Sequence, residues 1–89
     1  GAGGSAKGAQ STGAPPREEH PVPAEAARRN REGNRLYAKG QFPGALASYE
    51  EASAAAPEVP SLRYNLANAL YREGKYDAAA SEYASALLR

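Results

Sequence analysis

The side chains able to do chemistry are few, and their spacing does not group them for it. His20 is the one histidine among 89 residues and cysteine is absent, so no histidine–thiolate set can gather around a metal and no disulfide framework exists. Glu18 and Glu19 flank His20 in a stretch rich in proline and glycine, which offers no rigid support for a catalytic arrangement. Glu50 and Glu51 are neighbours, and on a helix neighbours splay about 100 degrees apart rather than pairing. Gly1-Ala2-Gly3-Gly4 has the composition of a phosphate loop, yet no strand pattern precedes it and no Gly-Lys-Ser/Thr follows. The serines and Thr12 stand in no nucleophile motif. These residues predict no enzyme, no cofactor and no metal.

The remaining polar chemistry is that of recognition. Asparagine amides at Asn30, Asn34, Asn65 and Asn68 can both donate to and accept from a peptide backbone. Six tyrosines offer flat apolar area with a polar tip. Base stacking on them would need a basic stripe, and the formal charge is only +1, so nucleic acid is not an expected partner. No apolar run approaches the roughly 18–20 residues of a membrane span, and no signal core is present. The expected partner is another protein or a peptide, without direct membrane insertion.

Two kinds of segment must carry these side chains. Residues 1–24 hold five of the nine glycines and four of the seven prolines, with Val22 as the only large aliphatic side chain. Such a segment buries too little apolar surface to offset the entropy of ordering it, and reads as a disordered arm. About 65 residues remain, a size at which folding alone is marginal. Methionine is absent and the chain ends inside a helical pattern, which suggests a piece of a longer protein.

Sliding the sequence against itself by 34 residues aligns Arg29 with Arg63, Asn34 with Asn68, and Leu36-Tyr37 with Leu70-Tyr71. Gly40 then meets Gly74, Ala45 meets Ala79, Tyr49 meets Tyr83 and Ala52 meets Ala86. These are eight identities in 29 pairs, where roughly three are expected by chance. Phe42 over Tyr76 adds an aromatic match. An unrelated four-helix bundle would share the helical period but needs no such register. Each unit reads as two helices: about 24–39 and 43–56, then from about Pro60 to Gly74 and from about Asp77 to the end. Gly40 suits a left-handed cap, and Pro43 suits a first turn. No segment alternates with period two, so the fold class is all-α. The small Gly33, Ala45 and Ala52, and again Ala67, Ala79 and Ala86, are expected at helix crossings. Leu36, Phe42 and Tyr49, then Leu66, Leu70, Tyr76 and Tyr83, are expected to fill the space between helices.

These residues resemble the tetratricopeptide repeat family over about residues 26–89. Its pattern, W-x2-L-G-x2-Y then A-x3-F then P, is met in the first unit by Gly33, Ala45, Tyr49 and Pro57, with Leu36 in place of the first tyrosine. Arg29 and Glu32 take the tryptophan and leucine places. In the second unit Leu66, Leu70, Ala79 and Tyr83 follow the pattern, while Ala67 replaces glycine and Arg63 replaces tryptophan. The resemblance implies two tandem helix-turn-helix hairpins in a right-handed superhelix, repeat 1 over 25–59 and a truncated repeat 2 over 60–89 without a capping helix. A first repeat has no predecessor, which gives the charged Arg29 and Glu32 a reason to face water.

The resemblance also implies a concave groove lined by the leading helices. Its residues are Asn30, Asn34 and Tyr37, with Ala27 and Ala38, from the first unit, and Ser61, Tyr64, Asn65, Asn68, Tyr71 and Arg72 from the second. Each set recurs at three- and four-residue steps and so shares one side of its helix. Arg31 and Arg72 would favour a carboxylate on the partner. Asn34 and Asn65 match the two asparagines by which a subclass of co-chaperone adaptors clamps carboxylates, although Asn30 stands at the lysine place. The repeats are also similar to those of bacterial Bat (aerotolerance-type) membrane-associated proteins. Tyr83, Leu87 and Leu88 lie on a last helix with nothing to cover it, so the alternative function is a homo-oligomer formed there.

Overall fold

The computed structural model describes residues 21–88. Four helices follow in order: α1 (Ala24–Ala38), α2 (Phe42–Ala55), α3 (Pro60–Arg72) and α4 (Tyr76–Leu87). No strand occurs among the described residues. Residues 1–20 of the segment read as a disordered arm lie outside the described residues. Of the rest, Pro21–Pro23 are irregular, and Val22 packs partly buried against the core.

Local chemistry sets the breaks between helices. After α1 and again after α3, a glycine takes a positive φ, +75° at Gly40 and +78° at Gly74. The same two bonds close each end. Gly40 N–H donates to Tyr37 O and Gln41 N–H to Leu36 O, both at 2.9 Å, while Gly74 donates to Tyr71 O at 3.0 Å and Lys75 to Leu70 O at 2.9 Å. This left-handed cap satisfies carbonyls the helix end would strand. Between α2 and α3 prolines do the work. Pro57 cannot extend α2, and Pro60 enters the first turn of α3 where no amide proton is needed. Val59, held extended by the proline after it, tucks fully into the core.

Consecutive helices pack on one another, α1 on α2, α2 on α3 and α3 on α4. One cluster joins Ala45, Leu46 and Tyr49 of α2 to Leu66, Ala69 and Leu70 of α3 and Ala79 of α4. A second joins Ala26, Ala52, Ala56, Val59 and Leu62 under Val22. Leu62 and Val59 are the largest fully buried side chains, each stabilising the fold by about 1.5–3 kcal/mol. Of the small residues expected at the crossings, Gly33, Ala45, Ala52, Ala67 and Ala79 are buried, while Ala86 on α4 is only half-buried. Gly33 permits the closest approach, since a Cβ there would stand 2.5 Å from Cδ1 and Cε1 of Tyr49.

One core expectation is corrected. Tyr76, expected to fill space between helices, is 60% exposed. Its counterpart Phe42 is half-buried because Arg72 of the next hairpin lies over it, whereas no described residue does the same for Tyr76.

The outer side of α1 is charged where the matching side of α3 is apolar. Arg28, Glu32 and Arg35 take the positions that Leu62, Leu66 and Ala69 occupy one repeat later. They are stitched by ion pairs: Arg28 with Glu25, Arg29 with Glu25 (2.8 Å) and Glu51 (2.9 Å), and Arg35 with Glu32 (2.5 Å). Such exposed pairs add little stability; they keep this face wet.

Candidate functional site

The asparagines and tyrosines singled out by the 34-residue register are wired identically in both hairpins. The Tyr49 hydroxyl, on α2, donates to Asn34 Oδ1 on α1 at 2.6 Å. One repeat later, Tyr83 on α4 donates to Asn68 Oδ1 on α3 at 2.5 Å. Each bond ties a trailing helix to the polar side of its leading helix. It also fixes the orientation of the amide, leaving Nδ2 without a partner among the described residues. Burial, with Tyr37 as a secondary cause, pushes the Tyr49 hydroxyl above its usual pKa, and burial followed by Tyr64 does the same at Tyr83. Both tyrosines thus stay protonated donors at neutral pH.

Asn30 and Asn65 meet across the two hairpins, Asn65 Nδ2 donating to Asn30 Oδ1 at 2.9 Å. They are 35 positions apart rather than 34, so no register pointed to this contact. The bond draws the polar sides of α1 and α3 together into one surface. Tyr64 and Tyr71 stand on it, 52% and 55% exposed. Tyr64 meets Tyr83 edge-on at 5.4 Å. Tyr37 is half-buried against the core, edge-on to Phe42 at 5.1 Å and tilted against Tyr49 at 6.4 Å. Ser61 is exposed in the first turn of α3.

The two arginines considered for a carboxylate go different ways. Arg72 lays its guanidinium over the Phe42 ring at 4.3 Å and near that of Tyr37 at 5.8 Å. This cation–π stack leaves its edge donors free. Arg31 instead lines an open cleft of about 470 Å³ on the charged side of α1, with Arg28, Arg29, Glu32, Arg35 and Ser48. The one carboxylate lining it, Glu32, has its pKa lowered by the hydrogen bond from Arg35, as Glu25 elsewhere on α1 has by that from Arg29. That cleft is the solvated face of a first hairpin, apart from the asparagine-lined surface.

The sequence pattern places Tyr76 in the core, whereas it is a surface group; Phe42 is half-buried. Tyr71 and Tyr76 form an edge-to-face pair at 5.1 Å, like Tyr37 and Phe42. The signal was present, since both members of each pair obey the 34-residue register. Leu87 and Leu88, at the end of α4, are 83% and 86% exposed as expected, whereas Tyr83 is half-covered, packed against the core and bonded to Asn68. Among the described residues no cluster of three His, Asp or Glu side chains is arranged to hold a metal, and no helix is long and apolar enough to cross a membrane.

A family model described as Tetratricopeptide repeat matches residues 30–89. Neither the curated proteins nor the solved structures gave a match.

Proposed function

The chain belongs to the tetratricopeptide repeat family, whose repeats generally mediate protein–protein interactions and are typically non-catalytic, and from that premise we propose that the joined polar sides of α1 and α3 bind an extended segment of another protein. The observation that supports this most is the repeated Tyr–Asn bond. It holds Asn34 and Asn68 in fixed orientation with Nδ2 hydrogens unspent, which are donors for the carbonyls of an extended peptide. A pre-oriented amide loses little entropy on binding. Around these donors, Tyr64 and Tyr71 give apolar area, and Asn30, Asn65, Ser61 and Tyr37 complete the surface. The edge donors of Arg72 suit an acidic side chain or terminal carboxylate on the ligand.

The test uses peptides selected for binding to the full chain. Their addition should shift the amide signals of Asn34, Asn65, Asn68 and Arg72 together, and Asn68→Ala should weaken binding about threefold to tenfold, the worth of one hydrogen bond. Shifts gathered on α2 and α4 instead would refute the assignment.

A second reading has its own support. Leu87 and Leu88 are the most exposed large hydrophobic side chains described, and a pair of such helices can bury them against a second copy. Light scattering over a range of concentrations decides it: a dimer abolished by Leu88→Glu supports self-association, and a strict monomer removes it.

A further inference from the structure

Once the ion pairs are set aside, the charge left on the helices is sorted by position. Both acidic side chains of α1, Glu25 and Glu32, are held by arginines, and α3 has no acidic side chain. The leading helices α1 and α3 thus keep only positive charge outside ion pairs, at Arg31 and Arg72, while the trailing helices α2 and α4 keep only negative charge, at Glu50 and Asp77. Arg31 opens on the charged side of α1. Arg72 lies elsewhere. Its contact with Tyr37 spans 35 positions, as does the Asn65–Asn30 bond. The two contacts are seven residues, or about two turns, apart along each helix, so both lie on the same side of α1 and α3.

The exposed Arg72 is also held in place. Its guanidinium crosses from α3 to the first hairpin and stacks 4.3 Å from the Phe42 ring centre, and Phe42 is itself fixed edge-on to Tyr37 at 5.1 Å. No described carboxylate pairs with it, Glu73 beside it in sequence included. A stacked guanidinium keeps its in-plane donors for a carboxylate, and a side chain already held loses less freedom on binding. Resting on the peptide-binding reading above, we propose that the surface selects segments carrying an aspartate or glutamate side chain, bound by Arg72, and that Phe42 is the positioning residue that aims Arg72 at it. Phe42 opens α2, a trailing helix, and acts on the ligand through Arg72 alone.

The probe is a library of random peptides, displayed without a free C-terminus and selected on the full chain. Selected peptides should be enriched in aspartate or glutamate. Replacing that residue by its amide should weaken binding, read by calorimetry, about tenfold, the worth of one charge-assisted hydrogen bond. Arg72→Gln should erase the difference between the acidic and amide peptides. Phe42→Leu should shrink it to about twofold to threefold while leaving the affinity of the amide peptide unchanged. Arg72→Lys, at an exposed position, keeps the charge but loses the planar fork, and should shrink the difference in the same way; it serves as the test should Phe42→Leu fold poorly. Equal weakening of both peptides by Phe42→Leu would mean that Phe42 only sets the angle between hairpins, and full preference in Arg72→Lys would mean that no aimed fork is needed; either overturns the positioning assignment. Peptides that bind without acidic enrichment, or a preference that survives Arg72→Gln, overturn the selectivity and leave the peptide-binding reading standing. A library that yields no binder overturns both.

Discussion

Substituting Gly33 by alanine opposes two effects of known size at one point. In a helix interior alanine is better than glycine by about 1 kcal/mol, so an unobstructed site would gain that much. The new Cβ, however, would lie 2.5 Å from two ring carbons of Tyr49, where carbon atoms prefer about 3.5–4.0 Å. The ring must therefore retreat by about 1 Å or more. Tyr49 has little room: it is 3% exposed, its hydroxyl is bound to Asn34, and α3 packs over it. Overpacking of this kind costs about 1–3 kcal/mol, and straining the Tyr49–Asn34 bond adds up to about 1 kcal/mol. The net expectation is a loss of about 1–2 kcal/mol after the propensity gain. Urea unfolding followed by far-ultraviolet circular dichroism reads this as a midpoint lowered by about 1–2 M, taking a slope of about 1 kcal/mol per M for a chain this small. Ala67 at the equivalent place is no counterexample, because Tyr83, at the place of Tyr49, is only half-buried and has more room to shift. In the Gly33→Ala background, Tyr49→Phe should cost less than it does alone, since releasing the hydroxyl lets the ring move. A midpoint raised by about 1 M would refute the reasoning, for it would mean that Tyr49 is not held.

Other expectations follow from the same contacts. Asn34→Ala leaves the buried Tyr49 hydroxyl without its acceptor and should cost about 1–2 kcal/mol, while Asn68→Ala, opposite the more exposed Tyr83, should cost less; paired urea melts compare them. Leu62→Ala, at a fully buried position, should remove about 2–5 kcal/mol and leave most of the chain unfolded at 25 °C by circular dichroism, whereas Leu87→Ala should leave the melt of the monomer unchanged. The raised pKa of Tyr49 means the folded state favours the neutral hydroxyl. Its contribution is fully present below the unfolded tyrosine value and is lost as pH rises through the folded one, so wild type should lose stability above about pH 10, and Tyr49→Phe should flatten that decline.

The fold was legible because the features that make it are local and recur. Each hairpin announces its turn by a glycine at the same register and its crossings by alanines 34 residues apart. The core was only partly legible. Val59 is flanked in the loop by Glu58 and Pro60, outside any helical period, and nothing in its spacing shows that it closes the second cluster. Leu62 has no apolar counterpart, because the matching position in the first unit is Arg28, so the register hid it as well. At the candidate site the register found Asn34, Asn68, Tyr49 and Tyr83, yet it could not show that the tyrosines bind the asparagines rather than a ligand. Asn30 with Asn65, and Arg72 on Phe42, are contacts between unlike positions of successive hairpins. They exist only once the angle between hairpins is set, and that angle depends on packing rather than on any motif.

The outer sides of the first and last described helices differ, and the difference bears on how copies of this chain can assemble. In the interior, Leu46, Tyr49 and Ser53 of α2 are buried at the α2–α3 interface, to which α3 brings Leu66, Ala69 and Leu70. Ala80, Tyr83 and Leu87 repeat the α2 side on α4, with Ala80 and Leu87 exposed and Tyr83 half-buried, whereas Arg28, Glu32 and Arg35 stand on α1 where Leu62, Leu66 and Ala69 stand on α3. Head-to-tail stacking of copies would bury those three charges against apolar side chains, at several kcal/mol for each ion removed from water. For this chain open-ended growth is thereby disfavoured, and association through α4 is expected to pair like with like and stop at two. Replacing the three charges with the α3 residues, as Arg28→Leu, Glu32→Leu and Arg35→Ala together, removes the obstacle. Sedimentation velocity should then show species larger than a dimer that grow with concentration, absent from the wild type. A triple variant that never exceeds a dimer would show that charge on α1 is not what stops the array.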